Sequence, residues 1–203
     1  MAAETSGEAV ARLGRQPVTS VHELSHIALQ LFIDNGFDAT TVDDVARAAG
    51  IGRRTFFRYF SSKNDLPWGE FDALIEAMRR HLAGVDDAIP LGAALRDAVL
   101  DFNRYPADEL PYHRERMTLL LTVPTLVAHS TLRFERWRQA IAEFAARRLG
   151  SDPRDLAPQA IGWASLGASL SAYESWLRDE HADLLELLSR AFDIVGRTFG
   201  AAS

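Results

Sequence analysis

Two groups of side chains in this 203-residue sequence have the types and spacing to do chemistry. The first is His22-Glu23-Leu24-Ser25-His26, an H-E-x-x-H pattern. On a helix, residues four apart share a face, so the two imidazoles could ligate zinc while the glutamate serves as a general base. The second is Arg53, Arg54 and Arg58 interleaved with Thr55, Phe57 and Tyr59, followed by Lys63 and preceded by Thr41. Arginine is the commonest donor to guanine O6 and N7, an aromatic ring can meet a thymine methyl, and hydroxyls and ammonium groups suit phosphate oxygens. One constellation would make a hydrolase, the other a reader of duplex DNA.

The two differ in the company they keep. A catalytic zinc needs a third protein ligand and an open position. Phe32 stands where an extended motif would carry another histidine, and Asp43 or Asp44, which could supply a carboxylate, belong to a short segment with its own packing. His22, Glu23 and His26 then read as the polar side of a helix whose apolar side is Leu24, Ile27 and Leu31, and no metal is expected. Tyr112-His113-Arg114-Glu115-Arg116 also carries acid–base groups without a nucleophile arrangement, so no catalytic residue and no enzyme activity are expected.

Charge favours the arginines. The net charge of −6 would ordinarily argue against nucleic acid, because duplex affinity comes largely from neutralising phosphates. From Val45 to Asn64, however, there are five basic residues and no acidic one, which leaves 17 basic against 28 acidic elsewhere, a balance of −11. A basic patch on an acidic body confines DNA contact to one end.

The elements that must hold these residues are helices. Thr19 or Ser20 can cap a first helix with Leu24, Ile27, Ala28, Leu31 and Phe32 on one face, ending at Asn35-Gly36. Thr41 caps a short second helix with Val42, Val45, Ala46 and Ala49, stopped at Gly50. Gly50-Ile51-Gly52 leads into a third, Arg53 to Phe60, and Ser62-Lys63-Asn64-Asp65 is expected to cap the next. Two short helices joined by a tight glycine turn are the helix-turn-helix arrangement, whose last helix enters the major groove. Phe56 and Phe60 should fold inward while Arg53, Arg54, Phe57 and Arg58 project outward.

Gly36-Phe37-Asp38-Ala39-Thr40-Thr41-Val42-Asp43-Asp44-Val45-Ala46, then Ala49-Gly50-Ile51-Gly52-Arg53-Arg54-Thr55-Phe56-Phe57-Arg58-Tyr59-Phe60 and Ser62-Lys63, resembles the DNA-binding domain of the TetR family of transcriptional regulators. The resemblance implies a dimer, most often a repressor, that holds a near-palindromic operator until a ligand in the C-terminal domain moves the two heads apart. Pro67-Trp68-Gly69-Glu70-Phe71-Asp72, His113-Arg114-Glu115-Arg116-Met117, Trp137-Arg138 and Ala172-Tyr173-Glu174-Ser175-Trp176-Leu177 are further similar to the mycofactocin-associated branch of that family. That likeness implies a long-chain acyl-coenzyme A as effector.

The remainder of the chain reads as helical, with breaks near Gly84 to Pro90, Tyr105 to Pro111, Pro124, Gly150 to Pro153 and Asp179 to His181, and long segments at Leu126 to Leu149, Leu156 to Arg178 and Ala182 to Phe199. An all-α protein of about nine helices follows, divided into a flexible arm at 1–18, a helix-turn-helix domain at 19–65 and a ligand-binding and dimerisation domain at 66–203. Absence of cysteine excludes disulfides and fits a reducing compartment. No apolar stretch is long enough to span a membrane, so a cytoplasmic protein with no membrane partner is expected.

Within the larger domain, Phe102, Leu120, Phe134, Trp137, Ile141, Trp163 and Tyr173 could line an apolar cavity for a small hydrophobic ligand, with Arg116 meeting charge on it. Arginines 114, 133, 136 and 138 are further candidates for the phosphates of coenzyme A. No tightly held cofactor is expected. Ser165, Ala168 and Ala172, with Leu188, Phe192 and Val195 of the last helix, form a second face suited to a partner copy.

Overall fold

The computed structural model describes residues 20–200, apart from the side chains of the last two. The arm at 1–18, Thr19 and the side chain of Phe199 lie outside the described residues. Among those residues there are nine α-helices and no strand, so the fold class read from the sequence holds.

The first three helices form where their caps are written. In α1 (Val21–Asn35), the Ser20 hydroxyl accepts the Glu23 N–H at 3.1 Å and donates to the Glu23 carboxylate at 3.2 Å. Glu23 is therefore tied to the start of its own helix rather than poised as a base. In α2 (Val42–Ala48), Thr41 and Asp44 make a reciprocal capping box, the Asp44 N–H reaching the Thr41 hydroxyl at 3.2 Å and the Thr41 N–H reaching Asp44 at 3.0 Å. The hydroxyl and N–H of Thr41, then Arg47, hold the Asp44 carboxyl down to about 2. Gly50 ends this helix at φ 69°, and the Ile51 N–H returns to the Ala46 carbonyl at 3.0 Å. That left-handed turn delivers the chain into α3 (Arg53–Tyr59) and suits glycine alone without strain.

After α3 the expected α-helical start at Ser62 is instead a 3-10 helix, Lys63–Trp68. Pro67 lacks an N–H and cannot extend an α-helical ladder, so the chain makes one tight segment and restarts. The body follows as α4 (Phe71–Ala83), α5 (Leu91–Phe102), α6 (Leu110–Thr122), α7 (Pro124–Leu149), α8 (Leu156–Arg178) and α9 (Leu184–Gly200). Helix α7 packs on α8 and α8 on α9, while α4 and α6 lie against α7. At Gly162 the approach of α7 is so close that an added Cβ would meet Arg138 Cγ at 2.8 Å and its carbonyl oxygen at 3.1 Å.

Two contacts fix the small N-terminal unit to the body. Helix α1 packs on the 3-10 helix and on α6, and the buried Ser25 hydroxyl donates to the Leu66 carbonyl at 2.8 Å. Asp65, buried, receives Arg133 at 2.7 Å, His129 at 3.0 Å and Ser62 at 3.0 Å. Burial alone would raise its pKa, but the hydrogen bonds from Arg133, His129 and Ser62 outweigh that and leave it lowered.

Candidate functional site

The sequence places two candidate sites, and the fold gives each a distinct form. In the N-terminal unit, Phe56 is fully buried and Phe60 nearly so, packed with Leu24, Ala28, Val45 and Ala49. With that face spent on the core, Arg53, Arg54, Phe57 and Arg58 point to solvent. Phe57 is 46% exposed, unusual for a large apolar ring and suited to a base methyl. Arg53 lies 2.8 Å from Asp43, with both side chains more than half exposed, an ion pair worth at most about 1 kcal/mol and readily exchanged for a base or phosphate. No ion pair is present at Arg54 or Arg58 among the described residues, and Arg58 lies over the Tyr59 ring. Thr55 and Tyr59 are half-buried beside them, and Thr41 is exposed at the start of α2.

Lys63 is different. Its ammonium donates to the carbonyls of Phe37 at 2.7 Å and Thr40 at 2.9 Å and sits 4.2 Å from the centre of the Phe37 ring. It satisfies the loop between α1 and α2 from within, which commits two of its three N–H donors to a structural role.

The second candidate is a cavity of about 440 Å³, bounded by α1, the 3-10 helix, α4, α5, α6, α7 and α8. Phe102, Leu120, Phe134, Trp137 and Tyr173 line it as expected, and so does Arg116. Ile141 and Trp163 do not: Ile141 is buried in the helix packing, and Trp163 is 60% exposed on the outer side of α8, under the Arg138 guanidinium. Helix α8 is apolar on most sides, so spacing alone could not say which aromatic faces in.

The wall also carries a polar cluster that sequence reading did not assemble. The Asn103 amide N–H donates to the Val99 carbonyl at 2.7 Å, which turns its oxygen toward Tyr173, and the Tyr173 hydroxyl donates to that oxygen. With that proton committed, His113 Nε2, 2.8 Å from the Tyr173 oxygen, must be the donor of the pair. His113 Nδ1 is thereby left as a bare acceptor, buried and without a partner among the described residues. Burial, helped by the charge of Arg116, pushes the His113 pKa down to about 3, so the ring is neutral. The one local signal in sequence was His113 just after the proline-marked break at Pro111; its meeting with Tyr173 of α8 and with Asn103 at the end of α5 depends on three separate elements.

The other arginines offered for phosphates are occupied. Arg133 and Arg136 bind Asp72 at 3.1 and 2.6 Å, Arg114 donates to the Trp176 carbonyl, and Arg138 to Gln159. Arg116 is half-buried and makes no ion pair among the described residues.

Residues 26–66 match the family described as bacterial regulatory proteins, tetR family, and residues 89–200 match the MftR C-terminal domain. A candidate mycofactocin biosynthesis transcriptional regulator, MftR, of Mycobacterium tuberculosis is 47% identical over 185 residues, covering 91% of this chain and 93% of that one. The chain belongs to the TetR family of transcriptional regulators. The HTH-type transcriptional regulator TcmR of Streptomyces glaucescens is 32% identical, covering 84% of this TetR-family chain and 78% of its own length. In fold, the fatty acid degradation regulator FadR of Bacillus halodurans superposes with a TM-score of 0.62 at 14% identity, covering 89% and 96% of the two chains.

As a TetR-family regulator the chain is a DNA-binding protein and not an enzyme, and the hydrolase reading of His22, Glu23 and His26 has no support. No helix among the described residues is long and apolar enough to cross a membrane. The face offered for a partner copy needs correction. Ser165, Ala168, Ala172 and Leu188 are all buried inside the protomer, and Phe192 and Val195 are half-buried in a groove between α5, α8 and α9. The small size of Ser165, Ala168 and Ala172 lets α9 approach α8 within one chain. The exposed stripe on α8 is Leu156, Ala160, Trp163, Ala164 and Gly167, with Ile194 exposed on α9.

Proposed function

We propose that this regulator is a cytoplasmic, ligand-released repressor that binds a palindromic operator as a homodimer and answers to a long-chain acyl-coenzyme A. The observation that carries the effector half is Arg116: a half-buried guanidinium without a carboxylate partner among the described residues, at the wall of a largely apolar cavity. Such a group seeks an anion, and the apolar wall seeks hydrocarbon. The bare His113 Nδ1 adds a demand for a hydrogen-bond donor on the ligand, which an amide N–H of the pantetheine arm or a hydroxyl would meet. A cavity of about 440 Å³ takes the acyl chain and leaves the nucleotide end at the mouth.

Two observations support the operator half. Arg54 and Arg58 face outward from α3, and Leu156 and Trp163 are 85% and 60% exposed on the α8 stripe. Apolar side chains so exposed in a row mark a contact surface. Two copies joined there would present paired α3 helices, as readers of half-sites about 34 Å apart require.

The test begins with bound fragments selected from genomic DNA, which define the operator. Labelled operator is then titrated with palmitoyl-coenzyme A and, separately, palmitate. Release by the thioester, lost in Arg116→Ala while operator affinity without ligand is kept, is the expected result. Operator affinity unchanged across a wide range of both ligands would remove the effector assignment.

A further inference from the structure

The H-E-x-x-H sequence finds a third donor that lies far from it in the chain. Glu109, at the start of α6, turns its carboxylate toward α1, with Oε1 3.8 Å from His22 Nε2 and Oε2 3.2 Å from His26 Nε2. The donor atoms of all three residues lie within 4.8 Å of one another. The imidazoles, one helical turn apart, have ring centres separated by 4.3 Å.

The His26 contact is not a hydrogen bond. Its Nε2 is buried and lies 3.2 Å from the carboxylate, yet the nitrogen has no hydrogen-bond partner among the described residues. A buried polar atom left so costs about 1–3 kcal/mol unless something meets it. A metal ion between the three groups would do so, since it takes a lone pair from each without needing them to face one another.

We infer that His22, His26 and Glu109 form a binding site for a divalent transition-metal ion of the zinc class, linking the DNA-reading unit to the body. Two imidazoles and one carboxylate are a recognised zinc ligand set, with a fourth position left to water. Bonds of about 2.0–2.2 Å place tetrahedral donors roughly 3.4 Å apart, so the side chains need move only about an ångström. The charge of Arg116 opposes a cation, which sets the affinity below that of closed four-ligand sites. His22 and Glu109 both border the cavity mouth, so the water position opens toward it. No hydrolysis is implied, because Glu23 is held at the start of α1.

The tag-free full chain, without DNA or acyl ligand, is titrated with zinc chloride by calorimetry. One equivalent per chain is expected, with zinc raising the melting midpoint. His22→Gln, at an exposed position that leaves the fold intact, and Glu109→Gln should each weaken uptake at least tenfold and abolish the shift in midpoint. Absence of saturable uptake overturns the site, and so does uptake that is the same in wild type and both variants. Because neither operator nor effector is present, failure here is independent of the repressor reading.

Discussion

Lys63 and its neighbours on α3 have the same charge and different work. Because the Lys63 ammonium serves two carbonyls of the α1–α2 loop, Lys63→Met should cost about 1–3 kcal/mol of stability in denaturant melts, with little change in the salt dependence of DNA binding. A salt slope lowered by about one, with unchanged stability, would return Lys63 to the phosphates. Arg54→Ala and Arg58→Ala should instead leave stability intact and lose about 1–3 kcal/mol on operator, and less on random duplex, in gel-shift titration. Equal losses on both DNAs would remove base reading. The sequence separated inward Phe56 and Phe60 from the outward arginines because helical spacing decides it. The structural role of Lys63 was not legible because its acceptors stand far upstream in the chain, a pairing that no local pattern encodes. The same holds for His113, Tyr173 and Asn103.

At the level of elements, boundaries were legible wherever a cap chemistry announced them: Ser20 before α1, Thr41 with Asp44 around α2, Gly50 at the turn. Gly50→Ala should lose about 1–2 kcal/mol, read from the melting midpoint, because a Cβ is strained at positive φ. Ser62 to Asp65 looked like the cap of an α-helix but opens a 3-10 helix, because Pro67 breaks the α-helical ladder, and the pull on Asp65 comes from α7. That pull carries a pH dependence. The folded pKa of Asp65 is below its unfolded value near 3.9, so its stabilisation is complete above that pH and is lost as pH falls through the folded value. Asp65→Asn should therefore lower stability by about 1–3 kcal/mol at pH 7 in urea titrations. The gap from wild type should narrow below about pH 3.9; a gap independent of pH would show that charge is not what Asp65 contributes.

At the level of the molecule, the all-helical architecture and the split into reading unit and body followed from punctuation by glycine and proline. Which side of α8 stays bare did not, because that helix is apolar nearly all round and its small residues serve α9 first. Ala164→Glu, exposed in the protomer, should sediment as a monomer with unchanged helicity and bind operator about a hundredfold or more weakly, since the second head no longer benefits from tethering. A dimer that survives the charge would place the contact elsewhere.

Helix α7 brings two of these sites onto one rod. His129 and Arg133, which grip Asp65, share it with Phe134 and Trp137, which wall the cavity, and at 1.5 Å per residue the whole set spans only about 12 Å. A guest that wedges the aromatic pair aside cannot tilt that rod without dragging the anchor of the DNA-facing unit along, so lodging and letting go would be two ends of a single lever.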